Sequence, residues 1–211
     1  MEDPFSLKAY VVQRKMGLGI KLTFTGPDGQ QVLKSEGSML ITSQPLQTMD
    51  GKTISTITHK IIAATPEYDI HEGGPKDEIT GVVKVPYQLM TGFDTLREID
   101  IKDASGNAIA KASGNFMHME FDISDREGKA VAKVTRKLDA AGFLGKLTQL
   151  ETGQYLMQIT GDSVPTKTLI EFLIVLELLL AKGEGSNPGL IGGGPLTGMG
   201  MPGSGGGGIE L

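Results

Sequence analysis

Cysteine is absent from this chain, and so is tryptophan. Without cysteine there is no disulfide scaffold, no thiol nucleophile and no thiolate zinc site. Histidine occurs three times, at His59, His71 and His118, with no helical i,i+4 pair among them. A scattered trio of that kind is a weak basis for a metal centre, and the expectation is no metal and no cofactor. A basic excess is missing too. The net charge is −5, which runs against a general nucleic-acid binder, since the phosphate backbone demands a basic surface. The opening MEDPFSLKAYVVQRK starts acidic and holds no apolar run of signal-peptide length, so the expected location is cytoplasmic.

Long apolar runs are also lacking. The most apolar stretch, TLIEFLIVLELLLAKG (168–183), has 13 residues from Leu169 to Ala181, among them Glu171 and Glu177. A bilayer span needs about 20 apolar residues and tolerates charge poorly, so no transmembrane segment is expected. Its ends read as helical: Pro165 suits a first turn, Thr168 with Glu171 fits a capping box, and Lys182 with Gly183 closes the C-terminus. A helix apolar nearly all round must be buried on every side. The predicted helix covers about 166–182.

Most of what precedes it reads as short strands. The expected set is 7–14, 20–25, 30–35, 38–43, 52–59, 79–85, 97–103, 107–112, 115–124, 129–137 and 153–160. Several alternate apolar and polar residues, the mark of a strand with one wet face. Turn residues punctuate them: Pro27-Asp28-Gly29, Met49-Asp50-Gly51, Ala104-Ser105-Gly106-Asn107 and Arg126-Glu127-Gly128. These residue types accept the backbone angles of tight hairpins.

The turns recur at a fixed spacing. Gly29 and Gly106 lie 77 residues apart, as do Gly37 and Gly114, Gly51 and Gly128, and Lys60 and Lys137. DGQQVLKSEGSM (28–39) aligns with SGNAIAKASGNF (105–116), and DGKTISTITHK (50–60) with EGKAVAKVTRK (127–137). Two long copies do not make a solenoid. Two β halves closing on each other make a barrel without exposed edges, and a barrel gives the apolar helix an enclosure. Beyond Gly183 the composition changes. Thirteen of the 30 glycines fall between Gly183 and Gly208, so residues 184–211 are expected to be a disordered tail after a single domain over 1–183.

The strand LKAYVVQRKMGLGIKLTFTGPDGQQVLKSEG, the paired segment REIDIKDASGNAIAKASGNFMHMEFDISDREGKAVAKVTRK and the ending GQYLMQITGDSVP before an apolar helix resemble the LURP-one-related family over roughly residues 5–183. The resemblance implies a tubby-C-terminal-like fold: mainly β, a closed twelve-stranded barrel around one hydrophobic C-terminal helix. The phospholipid scramblases and the phosphoinositide-binding tubby proteins are similar to the same superfamily. No lipid-binding or calcium-binding motif of those relatives matches this sequence, so none of their site residues carries over.

The search for chemistry yields little. DGKT (50–53) has the end of a phosphate loop, but Leu46 stands where the motif needs glycine, and a hairpin turn is the preferred reading. His118-Met-Glu120 lacks the cysteines of a zinc deaminase, and His118 reads as a strand residue. In DISDREG (122–128), Arg126 occupies the third ligand place of a calcium loop, so a polar turn is preferred. Asp94 and Glu98 form one of several carboxylate pairs that nothing singles out. No nucleophile elbow occurs. The expectation is a non-enzymatic binding protein.

One cluster carries a ligand hypothesis. Lys129, Lys133, Arg136 and Lys137 crowd one strand and its exit, with Lys52, His59 and Lys60 at the matching places of the first half. Such cations attract anionic phospholipid headgroups, by about 1 kcal/mol each near a membrane surface. The structural alternative is a solvated strand face. The partners expected are anionic phospholipid headgroups at a membrane periphery or, alternatively, a protein docking on the barrel or the glycine-rich tail. A small enzyme or a scramblase-like lipid protein is the remaining alternative.

Overall fold

The computed structural model describes residues 3–16, 19–38, 43–60, 67–84, 97–116, 118–136 and 153–186. Twelve strands run in order: β1 (Ala9–Met16), β2 (Gly19–Thr25), β3 (Gln31–Ser38), β4 (Ser43–Thr48), β5 (Thr53–Lys60), β6 (Glu67–Glu72), β7 (Ile79–Lys84), β8 (Arg97–Asp103), β9 (Ala108–Asn115), β10 (Glu120–Asp125), β11 (Ala130–Thr135) and β12 (Gln154–Ile159). Helix α1 (Thr166–Ser186) follows. Each strand pairs antiparallel with its chain neighbours, and β1 closes on β12 to complete a barrel. Closure removes the free edges that would otherwise template aggregation.

The helix fills the barrel. From Leu169 to Glu177, nine consecutive residues, none is more than 3 % exposed. The inward faces of the strands meet it with Tyr10, Leu22, Phe24, Ile57, Ile70 and Tyr155 among others, and Phe121 packs edge-on against Phe172, ring centroids 6.2 Å apart. The outward positions carry Lys111, Asp122 and Lys133, all exposed. An apolar interior with a polar exterior reverses the pattern of a membrane-spanning barrel. Among the described residues no helix is long and apolar enough to cross a membrane.

The two halves are related at backbone level. Adding 77 to β3 gives β9, and adding it to β4 gives β10. The ladder irregularities repeat at the same offset: Phe24/Thr25 with Ile101/Lys102, and Leu46/Gln47 with Ile123/Ser124. Four turns share one construction. Gly29, Gly51, Gly106 and Gly128 all sit in the left-handed region at φ 81–93°, where only glycine is free of strain. In each, the glycine N–H donates three residues back, to Gly26, Thr48, Asp103 and Asp125 respectively.

Several expectations are corrected. The strand expected at 38–43 falls largely on residues outside those described, and β4 instead runs Ser43–Thr48 through Pro45. Proline is tolerated because the β3 ladder stops at Leu46, short of Pro45. Strand β6, EYDIHE, was not expected, since charge obscures its alternation; Lys60 and Lys84 neutralise Glu67 from the flanking strands. The strand expected at 115–124 is broken. Phe116, His118 and Met119 belong to a turn, with Met119 at φ 52°, its N–H donating to Phe116 O, and the Asn115 side chain accepting from His118 N–H at 3.1 Å. His118 is therefore an exposed turn residue and not a strand residue.

The helix ends also differ. Its first i→i−4 bond runs from Leu169 N–H to Pro165 O, so Thr168 and Glu171 lie inside the helix and form no capping box. At the other end the helix continues through Gly183 to Ser186. The tail from residue 187 lies outside the described residues.

Candidate anion-binding surface

The β10–β11 turn fixes the start of the basic cluster. Asp125 caps it: Oδ1 accepts from Glu127 N–H (3.1 Å) and Lys129 N–H (2.9 Å), and Oδ2 accepts from Ser163 Oγ (2.6 Å). The Ser163 bond foremost, helped by the backbone donors, holds this carboxyl below the usual range. The oxygens of DISDREG thus close a turn and tie it to the segment that leads into the helix.

Lys129 precedes β11, Lys133 points outward from its middle, and Arg136 follows its end; all three are exposed. Lys137 lies outside the described residues. At about 3.3 Å per strand residue, Lys129 and Arg136 stand about 23 Å apart, at opposite ends of the barrel. The structure therefore lays these cations along a line instead of gathering them. Lys133 has Asp122 and Gln158 as cross-strand neighbours. Lys129 shares its end with Asp162, which is bound by Lys8.

Among the described residues no carboxylate stands within ion-pair distance of Lys129, Lys133 or Arg136. Of the matching first-half positions, Lys60 does have acidic partners. Lys60 contacts Glu67 at 2.7 Å and Asp69 at 3.1 Å, His59 packs on the Tyr68 ring, and Lys52 follows the β4–β5 turn.

Arg136 stands near a buried polar group that sequence reasoning missed. Inside the barrel, Arg14 Nε meets Glu177 Oε2 at 3.1 Å. The Tyr155 phenol is pushed well above its ordinary range, by burial first and by Glu177 next, while Arg14 and Arg136 pull the other way. Glu177 in an apolar helix was the only available signal, and its partner lies 163 residues earlier in the chain. The pair fixes the rotation of α1 within the barrel, because a buried carboxylate without its cation is costly.

The imidazoles do not converge. His71 accepts from the Thr58 hydroxyl at Nε2 (2.9 Å) and donates from Nδ1 to Asp77 O (3.0 Å). The carbonyl can only accept, which fixes this tautomer. The bond ties the Gly73–Glu78 loop over the outer face of β5 and β6. Among the described residues no three His, Asp or Glu side chains are grouped to hold a metal ion. DGKT forms the β4–β5 hairpin, and Glu98 contacts Lys111 at 3.0 Å; Asp94 lies outside the described residues.

A closed antiparallel barrel threaded by one apolar helix is the tubby-C-terminal-like architecture. The family model for LURP-one-related proteins matches residues 7–150, and the chain belongs to that family. It is similar in fold to an Arabidopsis thaliana protein of known X-ray structure, with a TM-score of 0.53, 13 % identity, and coverage of 82 % of this chain and 90 % of that one. No curated protein matches the sequence.

Proposed function

We propose that this LURP-one-related barrel is a non-enzymatic protein that docks peripherally on anionic phospholipid through the β11 side of its surface. The observation that carries this reading is the contrast between two lysine-bearing strands. Lys60 on β5 is occupied by Glu67 and Asp69, whereas Lys133 and Arg136 are exposed with no described carboxylate in ion-pair distance. Cations left open are available to headgroup phosphates, and their attraction extends about 8–10 Å at ordinary salt.

The test is co-sedimentation with phosphatidylcholine vesicles, with and without phosphatidylserine. Binding should rise with phosphatidylserine, fall with added salt, and weaken about tenfold or more in Lys133→Ala/Arg136→Ala. Binding that ignores both lipid charge and salt removes the reading, and leaves a protein-docking role as the alternative.

A further inference from the structure

The β1–β2 hairpin carries a feature that folding alone does not favour. Lys15 and Lys21 are direct cross-strand partners. Both point outward and both are exposed. Like charges directly opposite each other on an antiparallel pair, about 5 Å apart at Cα, oppose folding. One carboxylate stands beside them: Glu36 on β3 contacts Lys21 at 3.0 Å. That pair is half exposed on both sides and contributes little to stability. Among the described residues Lys15 has no acidic partner.

The position of the pair matters as much as its charge. It lies at the end of the barrel where β1 passes into β2, the same end as Arg136. From Arg136 the register steps across β12 near Tyr155 to β1 near Val12, three residues from Lys15. The outward side chains of β1, β2 and β12 include no carboxylate. The residues between Lys15 and Lys21, Met-Gly-Leu-Gly-Ile, carry no charge. The opposite end holds Asp28, Asp50, Asp77, Asp103 and Asp162 in its turns, mixed with Lys52, Lys76, Arg126 and Lys129. An anionic plane attracts the surface where cations stand without carboxylates, here the outward sides of β1, β2 and β12.

We propose that Lys15 and Lys21 form a docking site for an anionic membrane surface, and that the barrel approaches the bilayer by the end bearing them and Arg136. The inference rests on the phospholipid reading above and names the contact end within it. Headgroup phosphates supply the counter-charge that Lys15 lacks and that Lys21 draws only from the half-exposed Glu36.

The experiment measures vesicle affinity for the full chain, wild type and Lys15→Ala/Lys21→Ala, on phosphatidylcholine vesicles containing phosphatidylserine. Lys76→Ala/Lys111→Ala, which removes the same charge elsewhere, is the control. The expected result is a loss of about tenfold or more in the first variant and a clearly smaller loss in the control. The melting temperature of Lys15→Ala/Lys21→Ala should be no lower than that of wild type, since repulsion is relieved. If wild type binds and both variants bind alike, the docking site is overturned while the phospholipid reading stands. If wild type shows no preference for phosphatidylserine, both are overturned.

Discussion

A carboxylate held among apolar side chains gives up most of its hydration, and Glu171 does this inside the barrel at 3 % exposure. Its ion-pair partner is Lys167, with Nζ 3.5 Å from Oε1; the Ser55 side chain lies nearby without a hydrogen bond to it. Burial is the largest influence and raises its pKa above the ordinary 4.5; Ser55 and Lys167 oppose it. A raised folded-state value means the folded chain binds this proton more tightly than the unfolded chain. Its contribution to stability is therefore full below 4.5 and is lost as pH rises through the folded value. Glu171→Gln removes that dependence. Thermal melts from pH 4 to 7 should show the stability difference, wild type minus variant, declining as pH rises, with the variant at least as stable at neutrality. A difference that stays flat with pH contradicts the burial of an ionisable group here. Nothing in the sequence revealed this role. Thr168 and Glu171 have capping-box spacing, but the start of a helix is decided by which carbonyl begins the ladder, here that of Pro165. Arg14 is a further case: its value lies in a contact with Glu177 across nearly the whole chain.

At the scale of strands and turns, the glycines separate into two kinds that the 77-residue spacing shows but does not distinguish. Gly128 needs glycine only for its left-handed backbone, since a Cβ there meets nothing within 4 Å. Gly114 has a positive φ of 152°, and a Cβ there lies 2.5 Å from Glu120 O and from Phe121 Cα. Those are backbone atoms and cannot swing aside. Gly114→Ala should therefore cost about 2 kcal/mol or more, and Gly128→Ala about 1 kcal/mol. Urea or thermal unfolding of the two variants checks the order, and equal costs would mean that β9 and β10 are not packed this closely. The turns were legible because glycine, aspartate and asparagine mark them by their own conformational preferences. β6 was not, because its outward acids are neutralised by lysines on neighbouring strands. The turn at Phe116, His118 and Met119 was hidden because it is closed by Asn115 and Phe116, without glycine or proline.

For the whole molecule, the apolar helix and the barrel each explain the other. The strands alternate because one face touches α1, and α1 is apolar all round because strands surround it. That reciprocity made the architecture legible before any coordinates, whereas the surface cations, which obey no such constraint, were legible only as a list of positions along one strand. It also separates two accounts of TLIEFLIVLELLLAKG. In a membrane anchor, a charge in mid-helix weakens membrane attachment and leaves the barrel folded. In a barrel core it removes the fold. Leu176 is 1 % exposed. Losing its side chain alone costs about 2–5 kcal/mol, and an aspartate there adds an unpaired buried carboxyl worth several kcal/mol more. The sum is comparable with the 5–15 kcal/mol by which domains are stable. Leu176→Asp should therefore give a chain without the far-ultraviolet strand signal or a cooperative melt, while Leu176→Met, nearly equal in volume, keeps both. A Leu176→Asp protein that melts cooperatively with its strand signal intact would place the helix outside the barrel, and would return that stretch to the membrane.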